Sequence, residues 1–322
     1  MKKLQALAQS PLGRLLAVGI GLGVVALMVR QSGPENVWVA VTRVPSMFLV
    51  VFVLELGVLV TDAVGALLIY GPDRKKIPMR EVVRTCMVVY SLSGVLPFGR
   101  AAGEAARAAM FARFVGVPLA TATAARIQAL SLLGNAVISI PSAMAVVAVS
   151  GVASWLLLGV GAHFVVAGAM GAGLILAGRR SMLGSRLGRV FHKGEAWGAE
   201  VDGHLGSNEN IVAPLAWITL SRFFRVMQRG ALLIAVGAAF GVVPSFVSEA
   251  VNLVSSAVGD AIPLQVGVTE AAYGYASQTL GITKSDGVAM ALIVHVAQIV
   301  CVGLGFLSPL LTPAVVSEPE AR

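Results

Sequence analysis

Charge is scarce in this chain. Asp, Glu, Lys and Arg make up 12% of its 322 residues, roughly half the share typical of soluble domains, which excludes an ordinary soluble globule. Cysteine is scarcer still: Cys86 and Cys301 both sit inside apolar stretches, where a thiol packs as a small hydrophobe, so there is no disulfide framework to read. The four histidines, His163, His192, His204 and His295, include no pair at metal-ligand spacing on a helix. A phosphate-binding glycine loop, a nucleophile elbow and paired aspartates for a prenyl diphosphate are also missing. No metal and no cofactor are therefore expected. What the chain has in excess is apolar surface: 57% of residues are hydrophobic and the mean hydropathy is +0.85, with 36 glycines that follow no triplet period. An all-α integral membrane protein remains, because helices satisfy their own backbone polar groups in lipid.

A bilayer core about 30 Å thick takes about 20 residues of apolar helix. Six stretches meet that requirement: Gly13–Val29, Ser46–Tyr70, Leu119–Val149, Val152–Gly178, Ile211–Val243 and Val288–Leu311. The first reads as an uncleaved signal anchor, since no small-x-small cleavage pattern follows Met28. Two further segments, 81–116 and 245–281, are apolar but interrupted by Pro97, Gly99 and Gly103 and by Gly259, Pro263 and Gly267. Each suits a re-entrant helical hairpin, whose irregular turn is tolerated in the membrane only inside protein or beside a wet cavity. With both hairpins re-entrant, fourteen basic residues fall on one side and three, Arg30, Arg43 and Lys284, on the other. The positive-inside rule then puts both termini in the cytoplasm of a multi-pass protein of a bacterial-type inner membrane. The net charge of +8 resides mostly in these loops, so nucleic acid is not an expected partner. Residues 179–210 mix Leu183, Leu187, Val190, Phe191 and Trp197 with basic groups, the pattern of an amphipathic cytoplasmic loop on the inner leaflet. The whole of 1–322 reads as a single membrane domain.

The two broken segments resemble each other. Pro97 precedes Glu104 by seven residues, and Pro263 precedes Glu270 by seven. Three predicted spans separate them, so the first hairpin opens to the cytoplasm and the second to the outside, an inverted repeat of the kind found in secondary transporters. Pro and Gly interrupt the hydrogen-bond ladder there and leave free N–H groups at a half-helix N-terminus, which attracts anions.

Seven arginines lie within the apolar segments: Arg100, Arg107, Arg113, Arg126, Arg222, Arg225 and Arg229. Each costs about 2.5–3.5 kcal/mol at a helix centre on insertion scales, so each needs a cavity, a partner or an interface. Arg100, Glu104 and Arg107 share a helical face, consistent with a self-neutralising ion cluster or with an anion site in which Glu104 orients the arginines. Arg222, Arg225 and Arg229 share a second face: either Arg222 and Arg225 snorkel to the cytoplasmic interface, or the three form a basic stripe that leads headgroups to the midplane, with Arg229 as the member expected to bind phosphate. Arg126 is a candidate substrate-binding residue, with a salt bridge to Glu104 or Glu55 as the equal alternative. Glu104, Glu270, Glu55 and Asp62 are candidate proton carriers, because a buried carboxylate without a partner favours its neutral form.

The stretch LPFGRAAGEAARAAMFARFVGV, Leu96–Val117, resembles the proline, arginine, Gly-Glu and arginine motif of the lysylphosphatidylglycerol synthase transmembrane region, the flippase-like family. IPLQVGVTEAAYGYASQTLGI, Ile262–Ile282, resembles that family's second motif of proline, glycine and Gly-x-x-Glu-Ala. Residue by residue the match gives Pro97, Arg100, Gly103, Glu104 and Arg107, then Pro263, Gly267 and Glu270. Departures occur at Ala125, where a glutamate is usual before Arg126, and at His295, where an arginine is common. The resemblance implies a protein that moves a lipid or lipid-linked headgroup between leaflets, and without the soluble aminoacyl-transferring domain no synthase activity is carried over. The expected activity is thus a lipid flippase or transporter for an anionic or zwitterionic lipid of the phospholipid, polyprenyl phosphate, hopanoid or glycolipid class, not an enzyme. The alternative is an integral-membrane lipid-modifying enzyme or its noncatalytic partner. Neither the lipid nor the oligomeric state is written in the sequence.

Overall fold

A computed structural model describes residues 30, 34–35, 45–96, 99–190, 193–206, 210–238, 241–260 and 262–311. The first predicted span, 13–29, and Pro97 lie outside them. Among the described residues the regular structure is helical, with no strand. The chain is an all-α integral membrane protein.

Helix α1, Pro45–Ile69, is an almost uninterrupted apolar run, and Gly71 (φ 54°) and Pro72 end it in a short 3-10 turn. Helix α2, Met79–Val95, starts after the extended Pro78 and stops at the extended Leu96. Helix α3, Gly99–Val115, runs back along it: Glu81 near the start of α2 pairs with Arg113 near the end of α3, while Gly99 and Gly103 meet Ser93 near the turn. These contacts define an antiparallel hairpin. A Cβ at Gly99 would fall 2.1 Å from the Ser93 carbonyl oxygen, and one at Gly103 2.2 Å from the Ser93 hydroxyl oxygen. Glycine is what lets the two arms touch at their tip.

Gly116 (φ 86°) leads into α4, Val117–Ser150, which carries Pro118 at its start and Pro141 in its interior. Helix α5, Trp155–Arg179, follows a turn at Gly151 and is capped by the Ser154 side chain, which accepts from the Leu156 N–H at 3.2 Å. The expected amphipathic loop contains two helices, α6, Leu183–Val190, and α7, Glu195–Gly206. Asp202 of α7 accepts from the N–H groups of Gly184 and Ser185 at 2.7 and 3.2 Å and so satisfies the start of α6. Leu183, Leu187 and Trp197 gather with Ala122 of α4 and Val201 and Leu205 of α7, so their apolar surface packs against protein.

Helix α8 spans Val212–Ala235 and ends at Gly237 (φ 83°), eight residues short of the predicted Val243. Helix α9, Val242–Gly259, is followed by an irregular turn containing a 3-10 element, Pro263–Gln265, and then α10, Val268–Ala276. Tyr273 of α10 donates to the Ser248 carbonyl of α9 at 2.9 Å, and Gly259 abuts Gln265, which makes a second antiparallel hairpin. Helix α11, Lys284–Leu311, completes the described chain.

Among the described residues α1, α4, α5, α9 and α11 are long and apolar enough to cross a membrane. Helix α8 was expected in that set and is not, because Arg222, Arg225 and Arg229 interrupt it. Helix α9 belongs to it although it lies in the second broken segment. The outer faces of α1, α4 and α5 are apolar, with Leu49, Val53, Val60, Ile140, Met144, Leu158, Val165 and Met170 all exposed. Water would not tolerate that continuous surface, whereas lipid does.

The packing is reciprocal. Helix α1 lies against α8; α3 packs on α4 and α10 on α11; α2 packs on α11 while α9 packs on α4. The helix, hairpin, helix unit α1–α4 thus meets a second such unit, α8–α11, through matching pairs. We expect Gly99→Ala to lower stability by about 1–3 kcal/mol, the usual result of overpacking. Thermal unfolding in detergent checks it; an unchanged midpoint would show that the tip opens without cost.

Candidate functional site

The two hairpins converge on a partly open cavity of about 200 Å³. Whole-ligand pockets usually hold roughly 300–1,000 Å³, so this space suits a headgroup and not the tails of a lipid. Its wall takes Ser93, Arg100, Glu104 and Arg107 from the first hairpin and Asn252, Asp260, Gln265 and Thr269 from the second. Helix α1 contributes Glu55 and Asp62, α8 contributes Arg225, and α11 contributes His295.

Most charges near the cavity are neutralised by a neighbour. Arg107 grips Glu104 with two hydrogen bonds, Nε to Oε2 at 2.9 Å and Nη2 to Oε1 at 3.2 Å. Asp62 accepts from Ser221 at 2.6 Å and pairs with Arg222 at 3.4 Å. Arg229 pairs with Glu249 at 3.5 Å and donates to Asn252 Oδ1 at 2.7 Å, locking α8 to α9. Arg222 and Arg229 are each only 2% exposed. A guanidinium keeps its charge, so burial this deep is tolerable only with such company.

Arg100 and Arg225 differ. Among the described residues neither has a hydrogen-bond partner or a carboxylate within ion-pairing distance, and the strongest Coulombic influence on Arg100 is Arg225 itself. The Nε of Arg225 is buried without a hydrogen-bond partner. Two mutually repelling guanidinium groups therefore face one cavity, where a phosphate could accept from both in the forked geometry that arginine favours. Glu55 and Asp260 lie on the same wall, so a positively charged substituent would also find an acid there.

The remaining predicted site residues are distributed as follows. Glu270 accepts from the Gly267 N–H at 2.7 Å through one carboxylate oxygen and meets His295 Nδ1 at 3.0 Å through the other. Gly267 (φ 87°) supplies the left-handed backbone that this clasp needs, and Pro263 begins the 3-10 turn just before it. Glu270 thereby fixes the second turn, and its partner His295 reaches the cavity. Gly103 packs the arms of the first hairpin. Arg126 donates to the Leu205 carbonyl at 3.0 Å, at the end of α7, so it is not paired with Glu104 or Glu55. Arg229 sits in the α8–α9 seam and Arg225 takes the place at the cavity. The sequence shows three arginines on one helical stripe; which one stays unpaired depends on Asp62 and Glu249, acids on other helices.

Glu55 is held by Tyr90, whose hydroxyl donates at 2.5 Å, and by Gln228 at 2.8 Å. Among the described residues no group of three His, Cys, Asp or Glu is close enough to bind a metal.

The family model for the lysylphosphatidylglycerol synthase TM region matches residues 14–305. The chain belongs to that family. Membership ties it to lipid handling in the membrane. No curated protein and no solved structure matches the chain.

Removing Arg229 would strand Glu249 in the α8–α9 seam, so Arg229→Gln is expected to destabilise the fold by about 3–5 kcal/mol. Arg225→Gln, which breaks no ion pair, should leave the unfolding temperature unchanged or raise it. Unfolding of both variants in the same detergent tests this, and equal losses would contradict the assignment of Arg225 to the cavity.

Proposed function

We propose that the protein moves a lipid with an anionic or zwitterionic headgroup between the leaflets of a bacterial-type inner membrane, and is not itself a lipid-modifying enzyme. One observation carries this proposal: Arg100 and Arg225, without acidic partners among the described residues, face a headgroup-sized cavity at the meeting point of two helical hairpins. Arg100 and Arg225 hold the phosphate, while Asp260 accommodates a positive substituent. The tails stay in the lipid against the apolar outer faces. Phospholipids, polyprenyl phosphates and phosphate-bearing glycolipids present this chemistry.

Both hairpins turn back inside the membrane, the first from the cytoplasm and the second from the outside, with both termini cytoplasmic. The reciprocal packing of the two helix, hairpin, helix units supports this inverted repeat, which requires the arginine-bearing α8 to cross the membrane together with α4 and α5. Rocking one unit against the other would expose the cavity to each leaflet in turn.

In proteoliposomes, movement of fluorescent phosphatidylglycerol, followed by chemical quenching of the outer leaflet, should slow about tenfold or more in Arg100→Gln and in Arg225→Gln, the usual effect of losing a charge-assisted hydrogen bond. Wild-type rates in both folded variants would refute the transport site. A new lipid species formed when purified protein meets a headgroup donor would favour the enzyme instead. For topology, single cysteines replacing Ser181 and Thr283 on a Cys86→Ala, Cys301→Ala background should label only from the cytoplasm and only from outside, respectively. Labelling of both from one side would exclude the inverted arrangement.

A further inference from the structure

Four carboxylates were singled out in the sequence as proton carriers, and their surroundings separate them. Glu104 is clasped by Arg107, Asp62 by Arg222 and Ser221, and Glu270 by His295 and the Gly267 N–H. Glu55 has neutral donors only. It is 2% exposed, its oxygens accept from the Tyr90 hydroxyl and the Gln228 amide, and it lines the cavity. Its electrostatic counterpart is Arg225, too far away to form an ion pair, and among the acids Glu55 exerts the largest Coulombic pull on Arg225. Arg225 thus serves two potential anions: the Glu55 carboxylate and whatever it holds in the cavity together with Arg100.

The other groups around this pair do not relieve that competition. Helix α2 brings Tyr90, α8 brings Gln228 and Arg225, and α11 brings the Cys301 thiol, which is within electrostatic reach of Glu55. Asp62 of α1 and Glu249 of α9 also act on Arg225, yet each is held by its own arginine. From α4, Ile127 and Ser131 reach the cavity wall and carry no charge.

We propose that Glu55 takes up a proton when an anionic headgroup docks on Arg225, so that lipid and proton are carried together. The inference rests on the transport reading of the cavity. The headgroup phosphate neutralises Arg225, and a carboxylate left beside it in a low-dielectric interior then acquires a proton from the aqueous side. An O–H bond forms at Glu55 Oε1. The Tyr90 hydroxyl rotates from donor to acceptor, which its two lone pairs allow, and Gln228 continues to donate to Oε2. When the headgroup leaves, Arg225 is again available and the proton departs. By linkage, headgroup affinity must then fall as pH rises through the range in which the complex takes up that proton.

The test is calorimetric titration of the full chain in detergent with dioctanoyl phosphatidylglycerol, whose phosphodiester does not titrate near neutrality, in buffers of different ionisation enthalpy. The dependence of binding heat on buffer gives the protons taken up. About one proton per headgroup is expected for the wild type near the midpoint of the pH response. Glu55→Gln should bind the same lipid with no uptake and no pH dependence. Binding by the wild type without proton uptake overturns the coupling, a result that does not depend on any variant folding. Uptake that survives in Glu55→Gln, or vanishes in Asp260→Asn, also overturns it by giving the proton another carrier. Those results leave the transport site standing. No binding by folded wild type, or binding indifferent to Arg100→Gln and Arg225→Gln, refutes the site itself and the coupling with it.

Discussion

Charge compensation in an apolar interior governs this structure. An unpaired ion in lipid costs several kcal/mol, so most buried acids draw a cation or hydrogen-bond donors from a neighbouring turn or helix. Glu81 is engaged by Arg113, Asp62 by Arg222, Glu249 by Arg229, Glu104 by Arg107 and Glu270 by His295. Three of these pairs also fix the architecture: Glu81 with Arg113 closes the open end of the first hairpin, Glu249 with Arg229 binds α9 to α8, and Glu270 with His295 fastens the second turn to α11. The cavity is where this pairing stops. Arg100, Arg225, Glu55 and Asp260 remain around it without ion-pair partners among the described residues, so the headgroup of the proposed function would meet charge already held in place by the surrounding fold.

Close backbone approach is the second requirement. Ser91 of α2 donates to the Val302 carbonyl of α11 at 2.9 Å, and a Cβ at Gly305 would fall 2.4 Å from the Met87 carbonyl oxygen. The first hairpin therefore leans on the last helix of the other unit with almost no side chain between them. Packing and hydrogen bonding, not a hydrophobic difference between helices and lipid, drive such contacts inside a membrane. Each hairpin is held partly by its own unit and partly by the opposite one.

Much of this was legible in the sequence because it is written in local signals. The interruptions at Gly99 and Gly103 and at Pro263 and Gly267 announced the two turns, and the apolar runs located α1, α4, α5 and α11 within a few residues. The end of α8 is not visible in the sequence because the apolar run continues through Gly237 into α9, whereas the left-handed backbone at that glycine ends the helix. Pairing was legible where both partners share a turn, as for Glu104 and Arg107. It was not legible across helices. Asp62 with Arg222 and Glu249 with Arg229 are set by how α1 and α9 rotate against α8, and that rotation left Arg225, not Arg229, at the cavity. Likewise Arg126 met a carbonyl of α7, a partner that no charge pattern could announce.

The asymmetry of the two turns bears on how the cavity works. Around the cavity the first turn presents Arg100 and an ion pair internal to its own helix, whereas the second presents Gln265 and Asp260 and a carboxylate tied to α11 through His295. The two units are therefore chemically unlike: the positive charge comes from the first unit's hairpin and from α8, and the acids come from α1 and the second turn. Under the proposed function, a headgroup lodged between them would touch both units at once. Whatever holds the units together with the cavity occupied thus differs from what holds them when it is empty, and a ligand that bridges two bodies in this way can bias their relative position only through that difference in contacts.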